Sequence, residues 1–417
     1  MATVLHSDVL ILGGGIAGLW TLARLRRDGF ECVLVEPGSL GCGQTIASQG
    51  IIHGGLKYAL DGQVGSAATA IASMPGVWRA CLAGEKNAPV DLRGVPVLSD
   101  HYFYWTAPGV MSRVAGATAS KLLRTAVDRV GVESRPAVLR GAPSGLGGVD
   151  VYSVGEMVLD ARELVQKLAA SVRGRAVHGS FAGMGASGRD GAGVRIRCND
   201  GREIEVRTRA VVLCAGSGNE ELLAPFGVHN AMPVRAQRRP LHMVMARGVP
   251  GPFFGHCVGT SSSPRITITS GTHNATGEHV WYIGGQVAED GVSRSAEEQV
   301  TAARRELAEC MPWLTLSEDV RWATLRVDRA EGVPERAGAM SLMPGSRPDV
   351  PVVVRAGHVL AAWPTKLAFA PLLGDEVARQ LGEMGVRPRA DGSLDPAIPC
   401  APTVAPHVWD REDIEWR

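Results

Sequence analysis

Asp8-Val9-Leu10-Ile11-Leu12-Gly13-Gly14-Gly15-Ile16-Ala17-Gly18 decides how this chain is read. Val9 to Leu12 is a short apolar run bounded by polar residues, the pattern of a strand buried on both faces. Leu19, Leu22 and Leu25 then recur at helical spacing up to about Asp28, with Arg24, Arg26 and Arg27 left for solvent, and Gly29 stops the helix. Glu31 to Val35 reads as a second strand, ending on Glu36. Strand, glycine turn, helix, strand and acid make a dinucleotide-binding unit. Gly13 permits the tight turn, Gly15 leaves room for a pyrophosphate, and Gly18 lets helix and strand pack closely. Ile16 and Ala17 open a helix whose free N–H groups and positive dipole end favour phosphate. Glu36 lies 18 residues beyond Gly18, placed to accept from both ribose hydroxyls. A carboxylate there disfavours a 2′-phosphate.

The 417 residues allow a large core and two or three domain-sized units. A net charge of +1 and 5% aromatic residues exclude a nucleic-acid binder built on a basic field or on base stacking. Hydrophobic residues at 45% place the chain among globular proteins. No apolar run has membrane-spanning length, and the N-terminus lacks the basic start of a secretory signal. The eight cysteines (Cys32, Cys42, Cys81, Cys198, Cys214, Cys257, Cys310, Cys400) contain no CxxC. They read as buried thiols of a cytoplasmic protein, with no metal site.

Pro37 to Tyr58 is rich in glycine and small residues yet carries Ile51-Ile52, the composition of a loop that drapes its backbone along a large planar ligand. Within it, Gln44-Thr45 and Ser48-Gln49-Gly50-Ile51-Ile52-His53-Gly54-Gly55-Leu56-Lys57-Tyr58 resemble the flavin-contacting loop of the D-amino-acid-oxidase superfamily. The likeness is nearest to the FAD-dependent glycerol-3-phosphate dehydrogenases and the L-2-hydroxyglutarate dehydrogenases. The resemblance implies FAD as the dinucleotide, with Glu36, Pro37, Gln44, Thr45, Ser48, Gln49, Gly50 and Ile51 against it. It implies further contacts from Val177 beside the adenosine and from Ala215 and Gly216 after a buried strand at 209–213. Pro364, Thr365, Lys366 and Leu367 resemble the superfamily's C-terminal flavin turn, followed by a helix aimed at the ring. The usual glycines of that turn are replaced here by Ala362-Trp363-Pro364.

The expected fold class is α/β: a Rossmann-like FAD-binding domain from residues 1–80, 151–230 and 331–394, with a largely antiparallel substrate domain from 81–150 and 231–330. Residues 395–417 read as a tail. Expected helices cover 67–82, interrupted at Pro75-Gly76, then 112–129, a helix from Ala161 with an Asp160–Glu163 capping box, and 294–310. Expected strands include 95–98, 102–105, 155–160, 176–178, a 193–206 hairpin turning at Asn199-Asp200-Gly201, and 240–246, 253–258, 265–269, 279–284 and 321–327. Two more short strands fall within 350–362.

Flavin oxidation needs a proton acceptor and positive charge near the reduced ring. His53 is the expected base, because an imidazole suits removal of a hydroxyl proton. Lys366 and the C-terminal helix dipole supply positive charge. Arg326 is the expected anion-binding side chain, with Arg235, Arg238, Arg239 and Arg329 as further candidates; His242 lies in the same strand region. The leading expectation is FAD-dependent oxidation of CH–OH in a small anionic substrate such as a 2-hydroxy acid or polyol phosphate. Oxidation of CH–NH, modification of a partner protein or carrier-bound intermediate, and a non-enzymatic FAD scaffold stay open. So does the electron acceptor: oxygen, a quinone or a protein. The short stretch after Gly382 is expected to leave little room for the added helical domain usual in glycerol-3-phosphate dehydrogenases, which counts against glycerol 3-phosphate itself.

Overall fold

The computed structural model describes residues 3–54, 66–108, 128–145, 148–186, 191–232, 234–259, 263–334, 350–389 and 400–417. β1 (Thr3–Leu12), α1 (Ile16–Arg27) and β2 (Cys32–Glu36) form the first crossover. β1 pairs in parallel with β2 and, on its other side, with the strand Glu203–Leu213. The strands Ala176–Met184 and Val359–Trp363 extend this parallel sheet at either side. Ala192–Cys198 and Val352–Ala356 join it antiparallel, giving seven strands. The alternation of β1 splits the core. Val9 and Ile11 pack with α1 and the helices Ala161–Ser171 and Ala370–Glu383, while Leu10 and Leu12 pack with the hairpin side.

A second sheet of eight strands holds Tyr102–Thr106, Asp128–Arg129, Val151–Val154, Val234–Arg247, Gly255–Val258, Ile266–Thr272, His279–Gly284 and Arg321–Pro334. It is antiparallel except where Gly255–Val258 runs parallel to Tyr102–Thr106. One face carries Met243, Met245, Tyr282, Ala323 and Leu325 and packs toward the first sheet's helices. The other carries Val244, Ala246, Trp281, Ile283 and Trp322 and lies under the helix Ala296–Cys310. A three-stranded sheet joins Ile51–Ile52, Met157–Leu159 and Val97–Ser99.

Several expectations are corrected. The helix Ser66–Ala83 continues through Pro75. Its buried Ile71, Met74, Trp78 and Cys81 form one packed stripe, and that burial outweighs the roughly 3 kcal/mol a helix proline costs. Asp128–Arg129 is a strand paired with Tyr152 and Ser153, not a helix end; residues 112–127 of that expected helix lie outside the described residues, as do 55–58 of the expected flavin loop. Asp160 caps its helix through the Arg162 and Glu163 N–H groups, but the Glu163 carboxylate takes the Arg162 guanidinium instead of closing a capping box. The reciprocal box belongs to Ser295 and Glu298. Cys42 is exposed, on a surface turn, against the expectation of buried thiols.

Residues 400–417 are no loose tail. Leu40 bridges Val404, the Cys400 carbonyl accepts from His178 N–H (2.7 Å), and Arg417 exchanges two backbone hydrogen bonds with Trp322 (2.9 Å each). The Trp409 indole donates to the Thr272 carbonyl (3.1 Å). The segment crosses from the first sheet to the second, and its aromatic residues pack against surfaces assembled from distant parts of the chain. Among the described residues no helix is long and apolar enough to cross a membrane.

Candidate active site

The glycine turn is built as a cradle. Gly13 has φ +113°, and a Cβ there would lie 2.5 Å from the Cys214 carbonyl carbon. Gly15 ends the turn as N-cap of α1 without any side-chain cap. The Thr45 hydroxyl accepts the Ile16 N–H (2.9 Å), so the following loop is tied to the helix start. Ala17 is buried, and Gly18 is so close to Gly13 that no side chain fits. Glu36 is 7% exposed; its two oxygens accept from Gly14 N–H (2.6 Å) and Gly38 N–H (2.8 Å).

The loop from Gln44 to Gly54 runs across the inner face of the eight-stranded sheet. At one end Gln44 accepts from Ala330 N–H (3.0 Å). In the middle the Gln49 amide donates to the carbonyls of Thr267 (3.2 Å) and Tyr282 (3.0 Å). It fits because Gly284 beneath it has no side chain; a Cβ there would lie 3.1 Å from Gln49 Oε1 and 2.8 Å from Met243 Cε. The buried Ser48 hydroxyl finds no hydrogen-bond partner among the described residues. Gly50 and Ile51 lead into the pairing of Ile51 with Val158.

At the far end of the loop stands His53. Its Nδ1 lies 3.2 Å from Glu156 Oε2, while Glu156 Oε1 accepts Gly54 N–H (2.8 Å). Glu156 is 2% exposed. The Tyr104 hydroxyl reaches the same carboxylate at 3.5 Å. The His256 ring lies nearly parallel to that of His53, with centroids 6.3 Å apart, and its Nδ1 is 2.8 Å from the Thr267 hydroxyl. Tyr102 packs on His256 at 4.4 Å and donates to the Ile268 carbonyl (2.7 Å). Burial alone pushes the Glu156 carboxyl up, but the His53 charge and hydrogen bond, the Gly54 N–H and His256 together outweigh it and hold it below the ordinary value. Burial, then the Glu156 charge, pushes both tyrosine hydroxyls well above theirs. The result is a buried carboxylate beside two imidazoles, with the His53 side chain 36% exposed.

The sequence singles out His53 as a candidate but not its neighbours Glu156, His256, Tyr102 and Tyr104. The available signals were an acid set in the otherwise apolar run Val154 to Leu159 and the two-residue spacing of the tyrosines.

The C-terminal turn keeps the expected position. Thr365, 2% exposed, is the one non-glycine residue at positive φ (+60°) among those described, and Lys366 N–H closes a three-residue turn onto the Pro364 carbonyl (2.7 Å). Trp363 takes the place of a glycine by filling space over Gly332 and donating to the Gly216 carbonyl (3.2 Å). Lys366 lies ahead of a single turn, Leu367–Phe369, rather than in the first turn of the helix, with Nζ 5.6 Å from the Phe369 ring. Ala215 N–H donates to the Asn219 side chain (2.7 Å). Val177 is fully buried opposite Val35, and Pro37 is exposed, its carbonyl accepting from Asn199 (3.3 Å).

The arginines are not gathered around His53. Arg326 shares the sheet face of Trp322, turned from Leu325, and donates to the Val292 and Arg294 carbonyls. His242, buried opposite it, lies 3.0 Å from the Gly291 carbonyl; burial lowers its pKa. Arg239 and Arg329 face each other across two strands and engage Glu331 (3.3 Å) and Glu289 (3.3 Å), respectively. Four residues along the strand from Met243 and three strands over from His256, Arg239 stands roughly 20 Å from the histidine pair. Arg238 donates to the Ser217 carbonyl (3.5 Å) and lies 3.9 Å from Asp328, and Arg235 is exposed.

The bare glycine turn, the buried acid at the end of β2 and the orphaned Ser48 hydroxyl fit FAD, with room for a pyrophosphate and a donor for the flavin half. Comparison with known proteins agrees. The profile of the DAO family, FAD dependent oxidoreductase, matches residues 8–394. A probable FAD-dependent oxidoreductase of Pseudomonas aeruginosa is 44% identical over 413 residues, covering 98% of this chain and 99% of that protein. The crystal structure of the FAD dependent oxidoreductase from that organism superposes with a TM-score of 0.79 at 40% identity, over 98% of this chain and 99% of that one. Glycerol-3-phosphate dehydrogenase 1 of Mycobacterium tuberculosis is 32% identical over 228 residues, 50% of this chain and 41% of that enzyme. Glycine oxidase from Geobacillus kaustophilus shares the fold, with a TM-score of 0.61 at 16% identity over 96% of this chain and 99% of that one. The chain therefore belongs to the DAO family of FAD-dependent oxidoreductases, and FAD is its cofactor.

Proposed function

We propose that this enzyme oxidises the CH–OH group of a small anionic substrate, a 2-hydroxy acid or polyol phosphate, with His53 taking the hydroxyl proton. FAD, when bound, supplies the hydride acceptor. Gly13, Gly15, Ile16, Ala17 and Gly18 would hold the pyrophosphate at the start of α1, with Glu36 on the ribose. The loop from Gln44 to Ile51 and the turn from Pro364 to Leu367 would hold the flavin half.

The observation that carries the reading is the His53–Glu156 contact. An ionised carboxylate only accepts, so it holds a proton on His53 Nδ1 and leaves Nε2 as the basic atom. An alcohol needs such a base when its hydride departs; a neutral amine does not. The anionic character of the substrate is supported by the likeness to glycerol-3-phosphate dehydrogenase, an enzyme of whose length the match covers 41%.

Anaerobic mixing of the flavin-loaded enzyme with glycerol 3-phosphate, L-2-hydroxyglutarate, lactate, glycine, sarcosine and proline tests the proposal through bleaching of the flavin absorbance. Bleaching by an alcohol and its loss in His53→Ala support it. Bleaching by the amines alone overturns it.

A further inference from the structure

Glu156 is a fully enclosed carboxylate whose ion-pair partner among the described residues is a histidine rather than an arginine or lysine. Burying a carboxylate is costly, and a purely structural site satisfies it best with a permanently charged guanidinium. Here both oxygens grip consecutive residues of the flavin loop: Oε1 the Gly54 N–H, Oε2 the His53 imidazole. We propose that Glu156 is the positioning residue of the reaction: it fixes the His53 proton on Nδ1, aims the Nε2 lone pair at the substrate, and balances the imidazolium once the hydroxyl proton has moved. The inference rests on His53 being the base. The balance is simple. The substrate O–H bond breaks, its proton joins Nε2, the C–H hydride leaves to the flavin, and the carbonyl forms. The added proton then leaves to solvent through the exposed side of the ring.

The groups around His53 suit this division of labour. Tyr102 and Tyr104 approach from one strand and keep their protons, so they are poor competitors as bases. His256 approaches from the next strand and has its Nδ1 at the Thr267 hydroxyl. Glu156 stays ionised in neutral solution because its neighbours hold it below the usual carboxyl value.

Glu156→Gln makes the sharp test. The Gly54 N–H is backbone and cannot turn away, so the amide oxygen must accept it. The amide NH₂ then faces His53 Nδ1, which must accept, and the ring proton is driven to Nε2. The base lone pair is lost although the shape is kept.

The experiment is ¹⁵N NMR of histidine-labelled, flavin-loaded enzyme at alkaline pH, where imidazoles are neutral, with His53→Gln to assign the signals. In the wild type, His53 is expected to show a protonated Nδ1 and a bare Nε2, inverted in Glu156→Gln. In the same variant, flavin reduction by an alcohol that reduces the wild type falls by roughly 10²- to 10⁴-fold, with the half-saturating concentration little changed. Should the variant not fold, the wild-type spectrum still decides, since a proton on Nε2 overturns the inference. An unchanged tautomer in a folded Glu156→Gln also overturns it. If no alcohol bleaches the flavin but the tautomer inverts, the CH–OH reading fails while the positioning of His53 by Glu156 stands.

Discussion

Gln49 lies directly over Gly284, its amide bridging the carbonyls of Thr267 and Tyr282 on two neighbouring strands. The loop that carries His53 is thereby pinned to the sheet at a spot where the sheet has no side chain. Gly284→Val is expected to push both Gln49 and Met243 aside. Overpacking of this kind costs about 1–3 kcal/mol. The variant should melt lower and retain less flavin, read from a thermal scan and the flavin-to-protein absorbance ratio.

Glu36 holds the turn by two backbone N–H groups and is the acid expected on the ribose. A hydrogen bond to a charged group contributes about 1.5–3 kcal/mol. Glu36→Gln should therefore weaken FAD binding by roughly 10- to 100-fold, measured by fluorescence titration of apoprotein. Unaltered affinity would remove Glu36 from the cofactor site.

Asp8 is another buried carboxylate, with a different role. It accepts from Glu31 N–H (2.9 Å) and pairs with Arg209 and Arg389 (3.1 Å), tying β1 to the chain beyond the last helix. Asp8→Ala leaves two half-buried guanidinium groups without their shared partner, at a cost of about 1.5–3 kcal/mol. Chemical denaturation should show that loss, with flavin reduction by substrate unchanged in the protein that remains folded.

The lowered carboxyl of Glu156 makes a prediction about pH. A group depressed in the folded protein contributes stability above its unfolded value, near 4.5, and loses it as pH falls through the folded value. The melting-temperature gap between wild type and Glu156→Gln should be widest above pH about 5 and close on further acidification. A gap that widens in acid would contradict the ionised state assigned to Glu156.

Trp409 secures the C-terminal strap through the Thr272 carbonyl and packs parallel to His407, with centroids 4.7 Å apart. Trp409→Ala should lower stability by about 1.5–3 kcal/mol and raise proteolysis beyond residue 400, followed by mass spectrometry.

The sequence alone determined the nucleotide-binding half. Glycine spacing, a short apolar run and an acid at fixed distance are local properties, and within Asp8–Glu36 the backbone has one good way to satisfy them. The same locality made the hairpin at Asn199-Asp200-Gly201 and the helix near 296–310 readable. It failed where distant packing overrode a local signal: Pro75 inside a helix, residues 128–129 drawn into a strand, the strap of 400–417 laid across both sheets. The candidate active site is of that second kind. His53 and Glu156 are 103 residues apart, and His256 comes from a third segment. Their meeting depends on strand register and on which sheet face each strand presents. Arg326 shows the same rule in reverse: its alternation with Leu325 and Val327 was visible, but only the packed sheet decided that its face turns away from His53 and toward the Val292 and Arg294 carbonyls.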